Sequence, residues 1–142
     1  MRNRNWGNHP EIRDYGPEPF VFNIRHAVIM NPNFRTTLWT GNDLQLTLMN
    51  IPVGGSIGAE MHTDVDQFIR IESGYAKVYF GNRENDLREV ANINQNYAIL
   101  IPAGTWHDIV NIGKYPLTLY SLYAPPQHPY GTVHQTKEAA EY

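Results

Sequence analysis

Glu60, His62, Gln67 and His107 are the residues whose types and spacing could do chemistry together. Imidazole suits zinc, iron, nickel and copper, a carboxylate adds the negative charge that favours a dication, and a carboxamide oxygen is a weak neutral ligand. Two His, one Glu and one Gln can hold a first-row divalent ion and leave a position open for water or substrate, as catalytic sites require. Zinc leads this expectation, with nickel, iron or manganese as alternatives.

Such a site needs elements that converge. Glu60 and His62 are two apart, so on a β-strand both side chains enter the same interior. A polar turn, Thr63-Asp64-Val65-Asp66, separates them from Gln67, which opens an alternating run that puts Gln67, Ile69 and Ile71 on one face. His107 follows a Pro-Ala-Gly turn and starts a distant strand that a barrel can bring back opposite the first. Strand signals recur at 35–39, 44–51, 57–62, 67–72, 76–80, 97–101, 107–112 and 117–123, punctuated by Gly, Asn, Pro and Asp. Short strands at close spacing, with little helix between them, predict an all-β jelly roll or barrel that hides its edges.

The order Gly54, Glu60, His62, Gln67, Gly74 resembles the first motif of the cupins, Gly-x5-His-x-His-x3-4-Glu-x6-Gly. Asn96, Pro102, Gly104, His107 and Asn111 match the second, Gly-x5-Pro-x-Gly-x2-His-x3-Asn. The motifs span 54–111, and the flanking strands extend the likeness to roughly 44–126. The resemblance implies a double-stranded β-helix barrel with a divalent metal held by Glu60, His62, Gln67 and His107. Three positions depart from the pattern: Glu60 replaces a His, Gln67 replaces the Glu, and Asn96 replaces a Gly. Asn tolerates the left-handed backbone region better than most residues. The other two changes keep one carboxylate but move it to the neighbouring strand. The resulting ligand inventory is similar to that of phosphomannose-isomerase-type cupins, with Glu and Gln exchanged. Cupins with Gln at the Gln67 position also resemble certain sugar-ring-opening and polyketide-cyclising members. Both likenesses imply non-redox chemistry.

The length of 142 residues suits one domain. Its expected parts are an N-terminal arm (1–34) without a core of its own, a cupin barrel (35–126) and a C-terminal tail (127–142). Residues 24–30 fit helix or strand equally, and Asn31-Pro32-Asn33 ends whichever forms. Residues 81–94 read as an exposed hairpin connection, and Thr136 could cap a short peripheral helix. The net charge of −3 gives no basic field to draw nucleic acid or anionic membrane. The absence of cysteine excludes disulfides, thiolate zinc sites and a Cys nucleophile. The first residues lead into polar, Pro-rich sequence and no run reaches the roughly 20 apolar residues of a membrane span, so the expected location is cytoplasmic.

Several residues have ordinary alternatives. Trp106 is expected to pack rather than wall the site, and the glycines at 54, 55, 58 and 74 to form turns and bulges, since no helix follows them. Asp64 and Asp66 are expected in solvent. His128 and His134 lie in the tail, where a second metal cluster is disfavoured.

The leading function is a non-redox metalloenzyme of isomerase, epimerase or lyase type acting on a sugar or other hydroxy-carbonyl compound. Its base would come from Tyr79, Tyr123 or His134 by residue type, or from Glu60 if it were not a ligand. The alternatives are a non-haem iron dioxygenase, for which Glu60, His62 and His107 supply two His and one carboxylate, and a non-catalytic small-ligand-binding cupin. A homodimer is expected, with the arm and the apolar stretch 44–49 pairing sheet edges across a two-fold axis.

Overall fold

The computed structural model describes residues 11–140. Its strands are β1 (Arg35–Thr40), β2 (Gln45–Ile51), β3 (Asp66–Ser73), β4 (Ala76–Gly81), β5 (Leu87–Ile93), β6 (Ala98–Ile101), β7 (Trp106–Asn111), β8 (Leu117–Ala124) and β9 (Val133–His134). Two short helices flank them, α1 (Ile24–Met30) and α2 (Lys137–Ala140). The antiparallel strands form one sheet in the order β6-β3-β8-β2-β1-β9 and another in the order β5-β4-β7. The two sheets enclose a core of Met49, Ile51, Ile69, Ile71, Val78, Ile109, Leu117, Leu119 and their neighbours, as expected for a jelly roll.

The interior is graded along the strands. At one end the register sets Met49 opposite Leu119, and Leu119 opposite Ile71. Two residues further, Thr47 meets Ser121 and Ser121 meets Ile69; two further still, Gln45 meets Tyr123 and Tyr123 meets Gln67. Because side chains alternate with period two, these rows all point inward. One end of the barrel is therefore apolar, while the other is polar.

Several expectations need correction. The stretch 57–62 is not a regular strand. It runs beside β7 through isolated bridges, Ser56 to Val110 and Glu60 to His107, interrupted where Gly58 takes φ +93°. At that bulge the Gly58 N–H donates to Asp108 Oδ1 at 3.0 Å. Residues 81–94 are not merely a connection, since β5 lies within them. Its exposed polar side chains and edge position, paired only to β4, hide the usual apolar signal. β2 is flanked on both sides, by β1 and β8, so 44–49 cannot pair a sheet edge across a two-fold axis.

Residues 24–30 resolve as helix. Asn23 Oδ1 accepts from the His26 N–H at 3.0 Å, and Ala27 and Val28 bury one face against the outside of the larger sheet. That outer cluster includes Leu38, Leu46 and Leu48, with Ile12, Tyr15, Phe20 and Phe22 packed on it, so residues 11–34 are tied down by the chain's own sheet. Asn96 takes φ +76° at the position where the motif has Gly. α2 forms where expected, with the Ala139 N–H donating to Thr136 Oγ1 at 3.2 Å.

The tail returns to the barrel mouth. Gln45, fully buried, accepts at Oε1 from the backbone N–H groups of Gln127 (3.0 Å) and His128 (2.9 Å), while its Nε2 donates to the His128 carbonyl at 2.8 Å. Three bonds from one side chain thus fix the backbone at His128, and β9 then pairs with β1.

Candidate metal centre

Glu60, His62 and His107 come together at the polar end. The Glu60–His107 bridge is reciprocal, with each N–H donating to the other's carbonyl at 3.0 Å. The Gly104 N–H donates to the His62 carbonyl at 2.8 Å and holds the next turn in place. Glu60 Oε1 lies 3.5 Å from both His62 Nε2 and His107 Nε2, and the three donor atoms fall within 4.8 Å of one another. Among the described residues this is the one such His and carboxylate group.

The spacing is long for hydrogen bonds but close to that of ligands sharing an ion. Two donors each about 2.1 Å from a zinc, at tetrahedral angles, stand roughly 3.4 Å apart. Glu60 Oε1, His62 Nε2, His107 Nε2 and Gln67 Oε1 are all buried without a hydrogen-bond partner. Buried polar atoms left unpaired are costly and uncommon, and one cation among the grouped donors of Glu60, His62 and His107 would satisfy all three. Gln67 Nε2 donates to Ser121 Oγ at 3.3 Å, which leaves its carbonyl oxygen as the free acceptor. His107 Nδ1 lies 3.0 Å from the Thr105 carbonyl, which can only accept. The ring proton therefore sits on Nδ1, and Nε2 presents a lone pair. The residues fit a divalent ion.

The electrostatics agree. Burial alone would raise the Glu60 carboxyl, but contacts with His107 and His62, and the Arg35 charge, outweigh it and hold its pKa at about 2. The side chain is 26% exposed, yet Oε1 itself is fully buried, so the oxygen facing the imidazoles is the desolvated one. Glu60 is thus an anion at any ordinary pH.

Tyr123 was expected among candidate bases, and its fully buried ring stands edge-on to His62 at 5.7 Å between centroids. Burial, with Glu60 adding to it, pushes the phenol up to about 12, so it is an O–H donor rather than a base. The Thr47 and Ser121 hydroxyls pull weakly the other way, but neither makes a hydrogen bond of good geometry, and the Tyr123 hydroxyl stays unpartnered. Tyr79 is excluded: it alternates with inward-facing Val78 on β4 and points away from the interior. His134 Nδ1 lies 3.4 Å from Arg35 Nη1, outside the cluster of Glu60, His62 and His107. Trp106 alternates with His107 and faces the opposite side of β7. Asp66 is exposed and accepts from the Ala103 N–H at 2.9 Å, tying the turn before β7 to β3.

His128 is a residue whose place in the fold sequence reasoning missed. Its ring lies edge-on to Tyr123 at 5.2 Å, and its Nε2 is buried without a partner. Burial, with Arg35 adding to it, lowers its pKa to about 3, so the ring is neutral across the physiological range. The only signal in the chain is Gln45, a polar residue in an apolar strand, whose partner lies 83 positions away.

A concavity of about 400 Å3 lies elsewhere. It is an apolar groove on the outer face of the larger sheet, lined by Phe22, Trp39, Leu46 and Leu122, of which Leu46 and Leu122 alternate with the inward-facing Thr47, Ser121 and Tyr123.

Residues 47–123 match the family described as the cupin domain, and the chain belongs to that family. It is 52% identical to YrkC of Bacillus subtilis over 91% of this chain and 69% of that protein. A protein of Acanthamoeba polyphaga mimivirus is 38% identical over 80% of this chain and 70% of its own length. The crystal structure of BH2720 from Bacillus halodurans superimposes with a TM-score of 0.89 at 53% identity, covering 92% of this chain and 98% of that one. Cupins commonly bind a divalent metal, and this chain has the Glu60, His62 and His107 group that could hold one.

Proposed function

We propose that the chain is a metal-dependent, non-redox enzyme of isomerase, epimerase or lyase type acting on a small hydroxy-carbonyl compound such as a sugar. Glu60, His62, Gln67 and His107 would hold the ion, with zinc foremost. The observation that carries this reading is the grouping of the Glu60, His62 and His107 donor atoms within 4.8 Å, each buried and unpartnered, and the buried, unpartnered Gln67 Oε1 supports adding a fourth ligand. When bound, a dication supplies Lewis-acid polarisation of a carbonyl or hydroxyl oxygen. The chain's own residues supply the rest. Tyr123 keeps its proton and can donate a hydrogen bond to a ligand oxygen. His128, held neutral, offers a lone pair that can accept a hydrogen bond from a ligand hydroxyl. The barrel walls exclude water and strengthen both interactions.

In D2O, zinc-loaded protein should catalyse deuterium exchange into dihydroxyacetone, followed by proton NMR, and chelator should abolish it. H62A and H107A, which remove two of the metal-holding side chains, should abolish it as well. Exchange indifferent to chelator and to both substitutions would sink the proposal. The grouping of two His with one carboxylate also favours a dioxygenase reading. Ferrous-dependent oxygen uptake with no exchange would select it. A cytoplasmic setting and a homodimer belong to the same proposal. For the dimer, the support is the apolar outer groove, and light scattering of the purified protein tests it.

A further inference from the structure

Arg35 is the anomaly of the charged residues. The guanidinium groups of Arg13, Arg25, Arg70 and Arg88 each lie beside a carboxylate. Arg35, at 5% exposure, pairs with none, and its Nε is buried without a partner. Its Nη1 meets only the neutral ring of His134 at 3.4 Å, and its Cζ stands 5.4 Å from the Phe34 ring centroid. A guanidinium offers five donors, and burying it unpaired is costly.

Arg35 lines a cavity of about 200 Å3 together with Glu60, Gly58 and Lys137. Glu60 is the one carboxylate in that lining. Lys137 donates to Ser56 Oγ at 3.0 Å, and the nearby Asp108 accepts from the N–H groups of Gly58 and Ile109. With a dication bound by Glu60, the two cations and the ion outweigh Glu60 and Asp108 by two positive charges. The cavity is smaller than a drug-sized pocket, and the planar guanidinium fork matches a carboxylate.

We propose that Arg35 is the anion-recognition residue of this site, taking the carboxylate of a small keto or hydroxy acid whose other end meets the metal ligands. The inference rests on the metal reading above only for that other end.

Hydroxypyruvate and dihydroxyacetone share a hydroxyketone head and differ by a carboxylate in place of a hydroxymethyl group, so titration calorimetry with both isolates the charge. Zinc-loaded protein should bind hydroxypyruvate about tenfold more tightly, R35Q should lose the preference, and metal content should not change. R35K keeps the charge without the fork and should retain only part of the preference. It carries the test if circular dichroism shows R35Q unfolded. In chelator-treated protein the preference should persist. Protein that never binds metal yet shows an Arg35-dependent preference would refute the metal reading and leave this one standing. A preference that disappears with the metal, is unchanged in the foldable variant, or is absent from the wild type overturns the role of Arg35.

Discussion

At the scale of single residues, the site is built from groups held away from their ordinary protonation behaviour. Glu60 is lowered from 4.5 to about 2, so its contribution to stability is present above pH 4.5 and is lost as pH falls toward 2. His128 is lowered from 6.5 to about 3, so between those values the unfolded chain binds the proton that the folded chain refuses. Both effects weaken the fold in acid, in successive windows. Urea denaturation of metal-free protein should therefore show stability falling below pH 6.5, with a slope of at most about 1.4 kcal/mol per pH unit from this one group. H128Q should flatten the profile between pH 6.5 and 4.5 and leave the steeper fall below pH 4.5 in place. An identical profile in H128Q would show that the tail histidine is not held neutral.

At the scale of elements, the second motif carries structure as well as chemistry. Asn111 ends β7, donates from Nδ2 to the carbonyls of Ile51 (3.0 Å) and Tyr115 (2.9 Å), and accepts from the Gly113 N–H at 2.9 Å. N111A should cost about 2–4 kcal/mol in chemical denaturation, because it leaves buried backbone groups unpaired, while the folded fraction keeps its metal. Metal loss with unchanged stability would contradict this division of labour. The same element explains what the chain discloses on inspection. His107 and Asn111 sit at a spacing fixed by local backbone geometry, as do Glu60 and His62, so the grouping of Glu60, His62 and His107 was readable. A bulge at Gly58 was expected, but not that it would reduce 57–62 to isolated bridges, since how far a glycine interrupts a ladder depends on the partner strand. β5 was missed because its solvated face carries the polar residues of a loop. His128 and Arg35 escaped for a third reason: each is placed by pairings between segments far apart in the chain, which no local pattern encodes.

At the scale of the whole molecule, the apolar end of the barrel holds the fold together and the polar end stores unsatisfied donors that a ligand can use. Gln67, Thr47, Ser121 and Tyr123 interrupt what would otherwise be a continuous apolar interior. A bound ion should repay much of that cost. At free metal 100 to 1,000 times the dissociation constant, linkage gives roughly 3–4 kcal/mol, or about 10 °C in Tm for a chain of this size. Chelator should lower Tm by that order and zinc should restore it, as followed by circular dichroism. An unchanged Tm would mark the site as vestigial.

Metal analysis of protein purified without added metal, run beside H62A and H107A, tests the central claim most directly. The wild type should carry close to one divalent ion per chain, and both variants should lose it while remaining folded. A wild type without metal, or variants that keep it in full, would contradict the assignment of Glu60, His62, Gln67 and His107 to one ion.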